Sequence, residues 1–183
     1  MSGDMNHKGL LTRLRGDRRG VAAVEFALIA PVIIVFYFGL AEFCQAFMAQ
    51  KRMGRTAAAV ADLVTQNETV TRADVSDVFE VGDLMMRPFS AETLSQRATA
   101  VTRQADGSVE VDWSLGQGMT ARAAGDEVTI PDGLIAAGES VVMTEITYDY
   151  ESPFADLLPG MTQFSHTYYL RPRKVEQVIC TDC

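Results

Sequence analysis

Histidine is almost missing from this chain. His7 and His166 are the only two, and His7 lies in a short polar stretch near the N-terminus. His166 alternates with Phe164 and Tyr168, which makes it one residue of a strand face rather than a base. No serine stands in a nucleophile elbow, no His-Glu-x-x-His occurs, and no glycine-rich turn follows a strand pattern. Hydrolase, zinc-peptidase and nucleotide-binding chemistry each lack their residues, so neither an enzyme nor a small-molecule substrate is expected. Cysteine is scarce too, at three. Cys180 and Cys183 form a Cys-x-x-Cys, but zinc needs two further ligands and no second cysteine pair supplies them. Ser108, Glu110 and Asp112 alternate along one strand without the loop spacing or glycine of a calcium site. These patterns call for no cofactor and no metal. Basic residues are in deficit, 16 against 24 acidic for a formal charge of −8, which excludes the basic face that nucleic acid requires.

Charge is absent altogether from Phe26 to Ala41, FALIAPVIIVFYFGLA. The run Val21–Ala41 is 21 residues long. At a helical rise of about 1.5 Å per residue it spans about 30 Å, the thickness of a bilayer's hydrocarbon core. It is longer than the apolar core of a secretory signal peptide, and no convincing cleavage site follows it. Basic residues crowd in front of it, ending at Arg18-Arg19-Gly20. Such a flank keeps the N-terminus in the cytoplasm and sends the larger C-terminal part across. Glu25 is the anomaly. A carboxylate within a membrane helix costs about 2.5–3.5 kcal/mol even on lenient scales. Either it lies near enough to the helix start to reach the headgroups, or a cation sits at its depth. Cutting the chain after Gly20 creates one, the α-amino group of Val21.

A basic leader, Gly20, four residues, Glu25-Phe26 and an apolar helix together resemble the processing site of type IV prepilins. The form Ala-Val-Glu-Phe-Ala-Leu with Pro31 downstream is similar to the TadE-like pseudopilins of tight-adherence (Tad) pili, over residues 18–56. The resemblance implies cleavage between Gly20 and Val21 by a membrane prepilin peptidase. It also implies pairing of Glu25, fifth residue of the mature chain, with an N-terminal amine, and a role for Phe26 beside it. Other pilins or pseudopilins, the Tad assembly-platform proteins and the inner membrane are the implied partners. Pro31 has no amide hydrogen and is expected to bend the helix. Residues 1–20 carry five of the 16 basic and two of the 24 acidic residues, so their removal leaves 163 residues at a formal −11.

Past the membrane the helical pattern continues through Gln66. Ala46, Ala49, Met53, Ala57, Val60 and Val64 recur at steps of three and four. This stripe packs either on its own domain or on a partner. A second helix starts at Thr71 as N-cap, with Asp74 completing a short capping box and Val70 stapled onto Val75. Its buried face is Val75, Val78, Phe79, Met85 and Met86, and it ends before Pro88. The period then falls to two. Leu94–Gln104 and Val109–Leu115 form a hairpin about Asp106-Gly107, with Val109, Val111 and Trp113 facing inward. Residues 116–138 read as a loop, with Val128-Thr129-Ile130 as a short strand. Ser140–Tyr150 is a strand with Val142, Thr144, Ile146, Tyr148 and Tyr150 on one face. Pro153–Pro159 reads as a helical or turn segment and Thr162–Leu170 as the last strand.

The fold expected is therefore α+β and membrane-anchored. A cytoplasmic leader (1–20) precedes a transmembrane and stalk helix (21–66), followed by a small periplasmic domain of helix and antiparallel sheet (67–183). Cys44 is read as an inert small apolar residue. In an oxidising compartment Cys180 and Cys183 are expected to form a local disulfide or a link to another subunit. The resemblance implies a structural subunit, minor or initiating, in pilus assembly. Two other readings stand beside it: an uncut, membrane-anchored binding or adhesion module, and an anchored redox protein using Cys180 and Cys183.

Overall fold

The computed structural model describes residues 20–152 and 162–183. A single helix, α1 (Val21–Thr65), runs through Pro31. The chain divides into two compact units, with the boundary between Phe43 and Cys44.

In the first unit, α1 carries its apolar side chains outward. Phe26 is 73% exposed and Phe36 71%, and Leu28, Ile29, Val32 and Val35 are similar. The most apolar window of α1 has a mean hydropathy of 2.4 and none of it is buried. It is the one helix, among the described residues, long and apolar enough to cross a membrane.

The second unit is built on a four-stranded antiparallel sheet in the order β3-β2-β4-β5. Its strands are β2 (Leu94–Arg103), β3 (Val109–Gln117), β4 (Ser140–Tyr150) and β5 (Thr162–Leu170). One face of the sheet packs on helices. Ala49, Met53 and Ala57 of α1 are fully buried against Leu94, Ile146, Tyr148 and Tyr150. Val60 and Val64 continue the stripe against Ala98, Ala100, Trp113 and Val142. The apolar stripe is thus taken up by its own domain.

The second helix, α2 (Arg72–Met85), joins the same core through Val75 and Phe79. Its start is fixed locally. The Asp74 amide donates to Thr71 Oγ1 (3.1 Å) and the Thr71 amide to Asp74 Oδ2 (2.8 Å), a reciprocal capping box. Thr71 Oγ1 also donates to Asp74 Oδ2 (2.7 Å), and this bond, with the one from the Thr71 amide, holds the Asp74 carboxyl below its usual range. The helix stops two residues short of the Arg87-Pro88 peptide, which is cis.

Two expectations are corrected. Val109, Val111 and Trp113 do not share a face. Ala100 pairs with Trp113 while Val101 pairs with Val111, so Asp112 is an extra residue in β3, a bulge. The bulge reverses the alternation. Trp113 and Leu115 join the helix-side core, whereas Val109 and Val111 join Val101, Val141, Ile130 and Ile135 on the opposite face. The second correction concerns residues 128–130, which form no strand. A single bridge, Glu110 to Glu127, and the bonds Val128 N to Val109 O (2.8 Å) and Val111 N to Asp126 O (2.9 Å) tack this segment along β3. Gly125 in the left-handed region at one end and Pro131 at the other keep it from extending. The segment expected at 153–159 lies outside the described residues.

The C-terminal strap is a feature the pattern of the sequence did not show. Its strand β6 (Ile179–Cys180) pairs in parallel with β1 (Thr69–Val70). The buried Trp113 Nε1 donates to Val178 O (2.8 Å), and Asp182 Oδ1 accepts from the Arg72 amide (2.6 Å) in the first turn of α2.

Candidate functional site

Gly20 forms the turn that leads into α1, and Val21 is the first residue of the helix. A Cβ placed on Gly20 would meet nothing within 4 Å, so this fold places no steric demand for glycine there. Glu25 follows directly, four residues and one turn after Val21. Residues at this spacing share a helix face, with Cβ atoms about 5–6 Å apart and side chains inclined toward the N-terminus. The Glu25 side chain therefore leans back over Val21, within reach of a charge carried on its nitrogen. Glu25 is exposed and has no ion pair or hydrogen bond among the described residues. Phe26 beside it is exposed, and Pro31 lies on the same helix two turns on. What this arrangement can do is present one unpaired carboxylate on an exposed apolar helix surface.

The cysteines belong to the second unit. Cys180 and Cys183 are joined by a disulfide with a Cα–Cα separation of 5.7 Å, and Asp182 lies between them. Cys44 is free and exposed.

One polar cluster on the loop-covered face of the sheet was not anticipated. Arg97 Nε donates to Glu145 Oε2 (2.8 Å) directly across the β2–β4 pair, and Arg122 Nη2 donates to Glu145 Oε1 (3.0 Å) from the loop. Arg122 Nη1 also pairs with Glu145 Oε2. Burial raises the Glu145 carboxyl, but Arg122 and Arg97 together hold it below its ordinary value. Asp112, at the bulge, is instead pushed up by burial although Thr102 Oγ1 donates to it (2.7 Å). The pairing of Arg97 with Glu145 depends on strand register, which no local pattern reveals. Both groups tie the sheet together, Arg97 and Arg122 through Glu145 and Thr102 through Asp112.

Comparison with known proteins places the recognisable part of the chain at its helix. Nothing among curated proteins or solved structures matches it. Residues 20–62, from Gly20 through the greater part of α1, match the TadE-like protein family, whose members are structural components of pilus systems. That segment, which contains Gly20, Val21, Glu25, Phe26 and Pro31, is where the chain is similar to the TadE-like family.

Proposed function

We propose that this protein is a pseudopilin, a minor or initiating structural subunit in assembly of a Tad pilus, matured by a prepilin peptidase that cuts between Gly20 and Val21. The observation that carries the reading is the placement of Glu25 one turn inside α1, leaning toward the nitrogen that cleavage would turn into an ammonium. Inside hydrocarbon an unpaired carboxylate is costly, and a cation at the same depth removes most of that cost. The amine of the same chain or of a neighbouring subunit would serve. The surface of residues 21–43, exposed in isolation, would lie in the inner membrane and then against other pilins. Pro31 would let the helix bend as it packs. The domain that follows would lie in the periplasm, in keeping with the basic residues before the helix. Prepilin peptidase, other pilins and the assembly platform are the partners of this reading. An uncut anchored module is its competitor.

Terminal sequencing or intact mass of the membrane-extracted protein tests it, in cells with and without the prepilin peptidase. Val21 is expected at the N-terminus, replaced by the uncut chain when the peptidase is missing or in Gly20→Leu. Because a Cβ on Gly20 meets nothing within 4 Å among the described residues, that variant should fold as the parent does. An uncut chain in peptidase-competent cells would leave Glu25 without its cation and transfer the case to the anchored module.

A further inference from the structure

The two edges of the sheet are protected very differently. Along β3 the bulge at Asp112 and the segment tacked on by Val128 and Asp126 block pairing. At the other side, β5 runs through nine continuous pairs with β4, with no bulge, proline or lysine, and nothing among the described residues pairs with its outer edge. Every second residue of such an edge holds its N–H and C=O outward, and proteins usually guard them.

Beside this edge lies a groove of about 420 Å³ lined by Gln50, Lys51, Gly54, Arg55, Ser165 and His166, among others. Small residues keep its floor low. A Cβ on Gly54 would come to 3.9 Å from the His166 ring, and Ala58 lies one turn further along α1. Lys51 and Arg55 stand four residues apart on α1, both exposed, and no acid among the described residues pairs with either. Like charges at this spacing oppose each other. Their neighbour Arg52 is spent on the carbonyls of Met85 and Arg87. A cationic rim thus borders an open strand in a chain whose formal charge is −8.

We propose that the β5 edge and this groove bind an extended acidic segment of a partner protein, which adds to the sheet as a fifth strand. Lying about 4.8 Å outside β5, such a strand would cover the Gly54–Ala58 surface. Its backbone would satisfy β5, and alternate side chains would point at Lys51 and Arg55, so acids are needed only at every second position. A second copy of β5 does not fit. Its own strand, TQFSHTYYL, offers no carboxylate to Lys51 or Arg55.

The test uses the full chain in nanodiscs of neutral lipid and a fluorescein-labelled Thr-Glu repeat peptide, read by anisotropy. Controls are the Thr-Lys repeat and a Thr-Glu repeat N-methylated at alternate residues. The Thr-Glu peptide is expected to bind, at least about tenfold more weakly to Lys51→Glu/Arg55→Glu and more weakly as salt rises. The N-methylated and Thr-Lys peptides should fail. Gly54→Leu, which fills the floor and keeps every charge, should also lose binding, with circular dichroism confirming that each variant is folded. The proposal is overturned if the Thr-Glu peptide does not bind, or if the N-methylated or Thr-Lys peptide binds as well. It is likewise overturned if the Lys51 and Arg55 charges affect only association with phosphatidylglycerol vesicles, which would make the occupant a lipid.

Discussion

Gly82 sits on the sheet-facing side of α2, and a Cβ there would fall well inside contact distance of the Gln96 amide. Gln96 is fully buried and cannot swing away, because its Nε2 donates to Phe79 O (3.0 Å) and to Asp83 Oδ1 (2.9 Å). Asp83 in turn accepts from Gln117 (2.8 Å), so one small network locks α2 to β2 and β3. Alanine would gain about 1 kcal/mol of helix propensity at this position. Overpacking costs about 1–3 kcal/mol, and here it also breaks hydrogen bonds. Gly82→Ala is therefore expected to lower the midpoint of chemical denaturation, not raise it. Glu145 gives a second prediction at this scale. Its folded carboxyl lies below its ordinary value, so the stability it confers is complete above the unfolded-state value of about 4.3 and fades as pH falls through the folded one. Glu145→Gln leaves two guanidiniums facing a neutral amide. The cluster is only partly buried, so solvent screening limits the loss to about 1–3 kcal/mol near pH 7. Denaturation curves of parent and variant should converge as the pH is lowered below the folded value.

At the level of elements, the C-terminal strap is tied to the sheet by one side chain of β3. Trp113 supplies both the ring packed among Val60, Val64 and Val178 and the N–H that satisfies the Val178 carbonyl. Trp113→Phe keeps most of the ring and loses the bond, at an expected cost of about 1–3 kcal/mol for the buried carbonyl left behind. Hydrogen exchange locates the effect. The amides of Ile179 and Thr181, which donate to Glu68 and Val70, should exchange faster, while those within α2 change less. If the strap amides stay as protected as in the parent, Trp113 is not what secures it. The strap also marks where sequence reading stops. The α2 capping box lies within four residues, Thr71 to Asp74, and is legible because its partners are neighbours in the chain. The link between Arg72 and Asp182 spans 110 residues, and two-residue strands carry no period to detect. The bulge at Asp112 was hidden for a related reason: strict alternation is the default for a strand, and only the pairing with β2 shows which residue is extra. Of the two regions proposed to function, the Gly20–Glu25 segment is contiguous and could be read directly. The groove beside β5 exists only once the chain folds Gly54 against His166.

For the molecule as a whole, α1 has two different jobs along its length. Residues 21–43 belong to the first unit, whereas Ala49, Met53, Ala57, Val60 and Val64 lie at the centre of the second with 1% exposure or less. A helix that reads as one anchor and stalk is therefore also a principal element of the globular core. Burying Met53, Val60 and Val64 alone is worth about 5–9 kcal/mol. That is comparable to the entire stability of a domain, about 5–15 kcal/mol. A chain of residues 67–183, cut where the helix ends, should consequently fail to fold and should expose the apolar face of the sheet. A chain of residues 44–183 keeps the stripe and should be soluble, with a single cooperative thermal transition by circular dichroism. A cooperative transition in 67–183 at the same temperature would mean that α1 only rests against the sheet. Loss of structure in 67–183 alone would show that the Ala49–Val64 stripe and the sheet form one core, neither of which is stable without the other.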